Sequence, residues 1–315
     1  MTPPDNPSDI SRGTPPGDPG IDPRSITIRC SAKVNLYLSV IRRRGDGFHD
    51  IETVFQPVSM YDTVKIAPAD SGISLTGNEP GITWDESNLC WKAAELILKG
   101  TGQQKGVHID VDKNIPAGAG LGGGSSDAAA VLTGVNELYK LGLPEERLME
   151  MGLSAGSDVP FFILNSPAIG RGRGEILERI EGLSRGSILI VKPEINISTK
   201  WAYENPKLIL TRHEGGSKLN CLLGGLKGFP DVALRTSNSF QEVVAGEYPE
   251  IDRILVLLER EGARLCSMSG SGSACFALYE DDVTASKAKD LLLGEGHSAW
   301  IVHPAGRTLE LLDRE

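Results

Sequence analysis

Pro116-Ala-Gly-Ala-Gly-Leu-Gly-Gly-Gly-Ser-Ser-Asp127 places five glycines in seven positions, at 118, 120, 122, 123 and 124. Such a density lets the backbone approach a ligand closely and take conformations that a Cβ forbids. Val107 to Val111, just before it, reads as a short strand. The residues behind it, from about Ser125 to Lys140, carry Val131, Val135, Leu138 and Tyr139 at helical spacing, with Gly142 as a stop. Strand, glycine loop and helix in that order aim unpaired N–H groups at one point, a cradle for a di- or triphosphate, and Ser125 and Ser126 are good N-cap types. Other readings share these residues. Gly118, Gly120 and Gly123 match the dinucleotide fingerprint G-x-G-x-x-G, although no strand ending in an acidic residue follows about 20 residues on. The Walker A pattern fails for want of a lysine after the glycines. A plain strand-to-helix turn needs one or two glycines, not five.

Upstream, Val34, Leu36, Leu38 and Val40 alternate with Lys33, Asn35, Tyr37 and Ser39, which predicts a strand over 31–40. Arg43-Arg44-Gly45-Asp46-Gly47 supplies a turn, and 51–58 the returning strand. Lys33 and Asn35 project from one face of the strand, roughly 7 Å apart at about 3.3 Å rise per residue. There they could grip one polar substrate and a reacting oxygen together. The same face can equally be a solvated one that Lys33 merely keeps soluble.

Downstream, Gly156-Ser157-Asp158-Val159-Pro160-Phe161-Phe162 sets one carboxylate against an apolar run. Asp158 reads either as a helix N-cap with Pro160 in the first turn, or as a base for a hydroxyl proton beside the phosphate cradle. A lysine close by, such as Lys33, would keep it ionised. Met268-Ser-Gly-Ser-Gly-Ser-Ala-Cys-Phe276 is a second donor-rich loop leading into a strand. Alone it is a hairpin or bulge; paired with the first loop it could close over a triphosphate.

The remaining elements set the plan. Helices are predicted over 88–99 and 144–154, then a strand over 188–191. Helices near 238–244 and 251–261, paired strands around 273–279, a helix over 283–292 and a strand over 299–302 follow. The 315 residues thus divide into two α+β domains, 25–186 and 187–315. Residues 1–24, dominated by Pro, Asp, Gly and Ser, are expected to be a disordered tail.

Composition narrows the function. A net charge of −10 and no basic stripe argue against nucleic acid, and Arg42-Arg43-Arg44 reads as a solvated turn. No apolar stretch approaches the ~20 residues of a membrane span. Five scattered cysteines without a C-x-x-C pair (Cys30, Cys90, Cys221, Cys266, Cys275) are expected to be reduced thiols. The N-terminus has no apolar h-region and carries Asp5, Asp9, Asp18 and Asp22, which fits neither a signal nor a transit peptide. The cytoplasm is the expected compartment.

Taken in order, these segments resemble the GHMP kinase superfamily. Its first motif corresponds to Ser31-Ala-Lys-Val-Asn-Leu-Tyr-Leu38, its second to 116–127 and its third to 268–276. Ala32-Lys33-Val34-Asn35-Leu36, Gly45-Asp-Gly-Phe-His49 with Thr53-Val-Phe55, and Ser157-Asp158-Val-Pro-Phe-Phe162 resemble the branch acting on 4-diphosphocytidyl-2-C-methyl-D-erythritol. The likeness runs from about Ile26 nearly to the C-terminus. It implies a ribosomal-protein-S5-like N-terminal domain and a ferredoxin-like C-terminal one. It implies ATP-dependent phosphorylation of that compound's 2-hydroxyl, in the non-mevalonate route to isoprenoid precursors, by a monomer or weak homodimer.

On this resemblance Lys33 and Asp158 are the catalytic pair. ATP is held by Pro116, Ala117, Gly118, Ala119, Gly120, Leu121, Gly122, Gly123, Gly124, Ser125 and Ser126, with Asn88 and Leu89 near the adenine. Asn35 and His49 contact the substrate, His49 at the cytosine edge, Phe48 and Tyr203 sandwich the ring, and Thr199 lies nearby in Ser198-Thr-Lys-Trp-Ala-Tyr203. Mg²⁺ is expected with ATP, its ligands unassigned, although Ser125 or Ser126 could contribute. Ser157 departs from the family, which commonly has Ala there.

Overall fold

The computed structural model describes residues 25–208, 210, 217–226, 229 and 236–314. The tail expected over 1–24 lies outside them. β1 (Ile26–Arg43) and β2 (His49–Ala69) form one long antiparallel hairpin, closed by a turn at 44–48 where the sequence predicts 43–47, and the returning strand starts two residues before its predicted start at Ile51. β2 runs eleven residues past its predicted end at Val58, because Val64 and Ile66 continue the buried alternation after Pro57. Register shifts at Ser31/Ala32, Asn35/Tyr37 and Val40/Arg42 twist the hairpin. One strand thereby reaches three cores: Ile26 and Ile28 enter the first, Val34 and Leu36 the second, Leu38 and Val40 the third.

β3 (Ile73–Gly77) and β4 (Gly106–Asp112) pair in parallel through α1 (Leu89–Thr101), whose Cys90, Ala93, Ala94, Ile97 and Leu98 are buried at helical spacing. Asn88 Oδ1 accepts from Cys90 N at 2.9 Å and caps the helix. After the glycine loop come α2 (Gly123–Leu138), α3 (Glu145–Ala155), α4 (Val159–Leu164) and the hairpin β5 (Ala168–Gly172) to β6 (Ile176–Arg179), with β5 laid along β2. Ala128 to Leu132 are wholly buried in α2. Gly134 lets the helix lie close on the sheet, since a Cβ there would meet Ile66 Cδ1 at 2.3 Å.

The second sheet, ordered β10-β7-β9-β8, is antiparallel. It follows β7 (Ser187–Lys192), α5 (Thr199–Glu204), α6 (Ser217–Leu226), α7 (Gln241–Glu247), α8 (Pro249–Arg260), β8 (Leu265–Met268), β9 (Cys275–Tyr279), α9 (Asp282–Gly294) and β10 (Ser298–Val302). With α8 and α9 as its two crossover helices this is the ferredoxin-like β-α-β-β-α-β arrangement. Both faces are covered. Ile188, Ile190, Phe276 and Leu278 pack toward the first sheet, while Leu189, Val191, Ala277 and Tyr279 pack on α8 and α9. That is why β7 reads as an unbroken apolar run. A last strand, β11 (Leu309–Arg314), leaves this half and pairs with β1 in the first sheet.

Candidate active site

The helix behind the glycine loop starts at Gly123, two residues before its predicted start. Gly122 occupies the cap position at φ +78, where a Cβ would meet Phe162 at 2.8 Å, so no side-chain cap is possible. Ser125 and Ser126 therefore sit in the first turn and are not caps, a correction to the sequence reading. Gly118 and Gly120 also take positive φ, at +64 and +78. The loop is tied to its neighbours by backbone and side chain together. Lys33 N donates to Leu121 O at 2.9 Å, Ala274 N to Ala119 O at 3.1 Å, and Ser269 Oγ to Gly120 O at 3.0 Å. The third motif thus clasps the second.

Lys33 is buried, which settles its two readings: its face of β1 is interior, covered by the loops. Its Nζ donates to Asn35 Oδ1 at 2.5 Å and Gly120 O at 2.8 Å, and stands 3.8 Å from Asp158 Oδ2. Burial lowers its pKa from the ordinary lysine value, and Asp158 pulls the other way. Asn35 is held by its Nδ2 donating to Thr53 Oγ1 at 2.8 Å, whose hydroxyl donates to Tyr37 O at 2.7 Å. Asp158 stands before α4, yet its carboxylate makes no cap bond and is one-third exposed.

One cavity of about 890 Å³ collects most of the named residues. Lys33, Asn35, Asn88, Leu89, Pro116 to Gly120, Gly122 to Ser125 and Asp158 line it, as do Phe48, His49, Thr199 and Tyr203. Leu121 and Ser126 do not. Leu121 is buried in the second core and Ser126 Oγ turns away to donate to Ser31 O at 2.7 Å. Thr199 Oγ1 meets Ser271 Oγ at 3.0 Å, which joins α5 to the third motif. Elsewhere in the lining, Tyr203 packs on His49 at 5.0 Å between ring centroids and edge-on against Phe240 at 4.7 Å. Burial, then Arg43, holds His49 below its usual pKa and favours neutral imidazole. Burial, with Asp158 adding, raises the Tyr203 phenol. Phe48 is about half exposed and carries the Arg173 guanidinium over its ring at 3.9 Å.

Two groups at the cavity carried no assignment in the sequence. Lys113 lines it and ion-pairs with Asp62 and, at 2.7 Å, with Asp127, all three buried. Asp62 also accepts from Asn114 N and Ile115 N at 2.6 and 2.8 Å, fixing the entry to the glycine loop. Burial pushes Asp127 up to about 7, against the pull of Lys113. Their signal was faint, since Asp62 lies 51 residues from its partner. Arg173 is the second, in Gly170-Arg-Gly-Arg-Gly174.

The family models for the GHMP kinases N terminal domain and the GHMP kinases C terminal domain match residues 88–166 and 227–294. A 4-diphosphocytidyl-2-C-methyl-D-erythritol kinase from Geobacter sp. (strain M21) is 39% identical over 266 residues, covering 84% of this chain and 93% of that protein. The chain belongs to the 4-diphosphocytidyl-2-C-methyl-D-erythritol kinase family. It is accordingly a GHMP kinase, a phosphotransferase. A solved 4-(cytidine 5'-diphospho)-2C-methyl-D-erythritol kinase superposes with a TM-score of 0.76 at 34% identity, over 89% of this chain and 99% of that one. Homoserine kinase from Cytophaga hutchinsonii, at 19% identity and a TM-score of 0.70 over 92% of this chain and 98% of that one, shares the fold. Among the described residues no helix is long and apolar enough to cross a membrane.

Proposed function

We propose that this chain transfers the γ-phosphoryl group of ATP to the 2-hydroxyl of 4-diphosphocytidyl-2-C-methyl-D-erythritol, in the non-mevalonate route to isoprenoid precursors. The observation that carries the reading is that one cavity is lined by Lys33, Asp158 and the glycine loop and also by Phe48, His49 and Tyr203. Phosphoryl transfer asks mainly for positioning and charge stabilisation. The N–H groups at the start of α2 and the loop from Pro116 to Gly124 would take the triphosphate, with Asn88 toward the adenine. The substrate hydroxyl oxygen attacks the γ-phosphorus, the bond to the β,γ-bridging oxygen breaks, ADP leaves, and Asp158 accepts the hydroxyl proton. Lys33 faces the negative charge that develops, and Asn35 orients the hydroxyl. Thr199 and the aromatic end would hold the cytidine, where a neutral His49 suits an uncharged base edge.

Mg²⁺ would find a hard oxygen donor in the Ser125 hydroxyl, which lines the cavity. When bound with ATP it would neutralise phosphate charge. We further propose a domain division near residue 186, with β11 returned to the first domain. We also propose a cytoplasmic enzyme, in keeping with its five free cysteines, acting as a monomer or weak homodimer.

Homoserine and mevalonate kinases are the rival readings on the same fold. Their substrates carry no base, and the patch of Phe48, His49 and Tyr203 favours a substrate that does. ADP release with ATP and Mg²⁺ against the cytidyl compound, homoserine and mevalonate tests this. Turnover with only the cytidyl compound is expected. Turnover with another alcohol instead would keep the kinase and remove the cytosine site.

A further inference from the structure

Arg173 sits at the tip of the β5–β6 hairpin, between Gly172 and Gly174, both at positive φ. Pairing of Gly172 with Ile51 brings that tip beside the start of β2, where Phe48 and His49 lie. The guanidinium spans two parts of the cavity. One side stacks on Phe48 at 3.9 Å, and Nη2 donates to Ser157 Oγ at 3.1 Å, one residue before Asp158. Part of its donor capacity is unmet. Nε is buried without an acceptor, and among the described residues no carboxylate lies within ion-pair distance of this side chain. Arg42 and Arg44 pair with Asp50, and Arg171 with Glu52 and Glu178; Arg43, opposite His49 on the hairpin, also lines the cavity and has no carboxylate partner among the described residues. A planar fork of donors without a carboxylate suits a phosphate oxygen.

We propose that Arg173 recognises the diphosphate that joins the substrate's base to its reacting alcohol, and so sets the distance between the two ends. The inference rests on the cytidyl reading above. With the base at Phe48, His49 and Tyr203 and the hydroxyl at Asp158, the connecting diphosphate must pass the stretch that Arg173 bridges. Ser157 then anchors the guanidinium at the catalytic end through its hydroxyl. Arg173 is a specificity residue and takes no part in the proton transfer.

The test compares the full-length protein with Arg173→Gln, Arg173→Lys and Ser157→Ala, using calorimetry with cytidine, CDP and ATP and steady-state kinetics. In the parent protein CDP should bind more tightly than cytidine. Arg173→Gln should reduce the CDP preference by roughly 10-fold or more, the scale of a lost charge-assisted hydrogen bond, while cytidine and ATP affinities stay within about twofold. KM for the cytidyl substrate should rise with kcat much less affected. Arg173→Lys should recover part of the preference, because it restores the charge without the fork. Ser157→Ala should lower it in the same direction by less. Equal weakening of cytidine and CDP would show that Arg173 only supports the Phe48 ring, and an unchanged CDP preference would remove it from recognition; either overturns the proposal. A parent protein that binds neither cytidine nor CDP, yet binds ATP, would overturn the cytidyl reading itself and this assignment with it.

Discussion

Lys33 Nζ and Asp158 Oδ2 stand 3.8 Å apart, near enough for each to hold the other's charge and too far to share a hydrogen bond. An oxygen lodged between them would be within reach of both. Lys33 cannot close the gap cheaply, because Asn35 and the Gly120 carbonyl already hold its ammonium group. The pair is thus set at a spacing that a substrate hydroxyl can complete.

Asp158→Asn should cut kcat by about 10²–10⁴ while ATP affinity changes by less than about twofold, because proton acceptance is lost and the phosphate cradle is built elsewhere. ADP release and an ATP titration measure the two quantities. Affinity for ATP falling in step with activity would make Asp158 a structural residue.

The lowered pKa of Lys33 has a definite sign in stability. Between its folded value and the ordinary lysine value, the unfolded chain holds a proton that the folded chain does not, so this group makes stability rise with pH in that window. Asp158→Asn removes the supporting negative charge and should move Lys33 further down. A ¹⁵N-lysine titration would follow it directly. An upward move in the variant would mean that Asp158 does not act on the ammonium.

Gly120→Ala and Gly118→Ala separate backbone conformation from close approach. Both residues take positive φ, but a Cβ at 118 meets nothing within 4 Å, whereas one at 120 would lie 2.2 Å from Ser269 O. Gly118→Ala should cost about 1–2 kcal/mol. Gly120→Ala should cost at least about 1 kcal/mol more and raise KM for ATP as the two loops part. Urea midpoints of the two variants rank them, and equal values would deny that the loops touch as described.

Lys113→Met strands the carboxylates of Asp62 and Asp127 against each other in the interior and should cost about 3–5 kcal/mol. Adding Asp127→Asn removes one of the stranded charges and should return part of that stability. A double variant no more stable than the single one would show that the ion pairs are not what Lys113 contributes.

The glycine loop, the strand of Lys33 and the apolar run of β7 were legible because each is local: composition or periodicity over about ten residues or fewer carries it. The short strands β3 and β5 were not. β5 is Ala-Ile-Gly-Arg-Gly, and β3 ends on a glycine that gives way to Trp84. Both are strands only because β2 and β4 offer them hydrogen bonds. In the site, Lys33 could not be placed inside or outside from β1 alone, since the loops that cover it come from residues about 120 and 270. Ser125 and Ser126 looked like caps by residue type, but Ser126 N already donates to Gly122 O at 2.9 Å, which puts both serines inside the first turn. The Lys113 cluster and Arg173 gave only a faint local signal, because their meaning lies in partners that the fold brings to them.

The pairing of β11 with β1 has a consequence for biosynthesis. The strand that carries Lys33 begins at the start of the described residues, and its outer neighbour is the last described element to leave the ribosome. Until then Ile26 to Cys30 present an open edge, the kind of surface that recruits strands from other chains. A nascent chain can build the second sheet and its helices while the first is still missing a border. Ribosome stalling or premature termination shortly before Leu309 should therefore yield chains that aggregate through β1, and chaperone demand should peak late in translation.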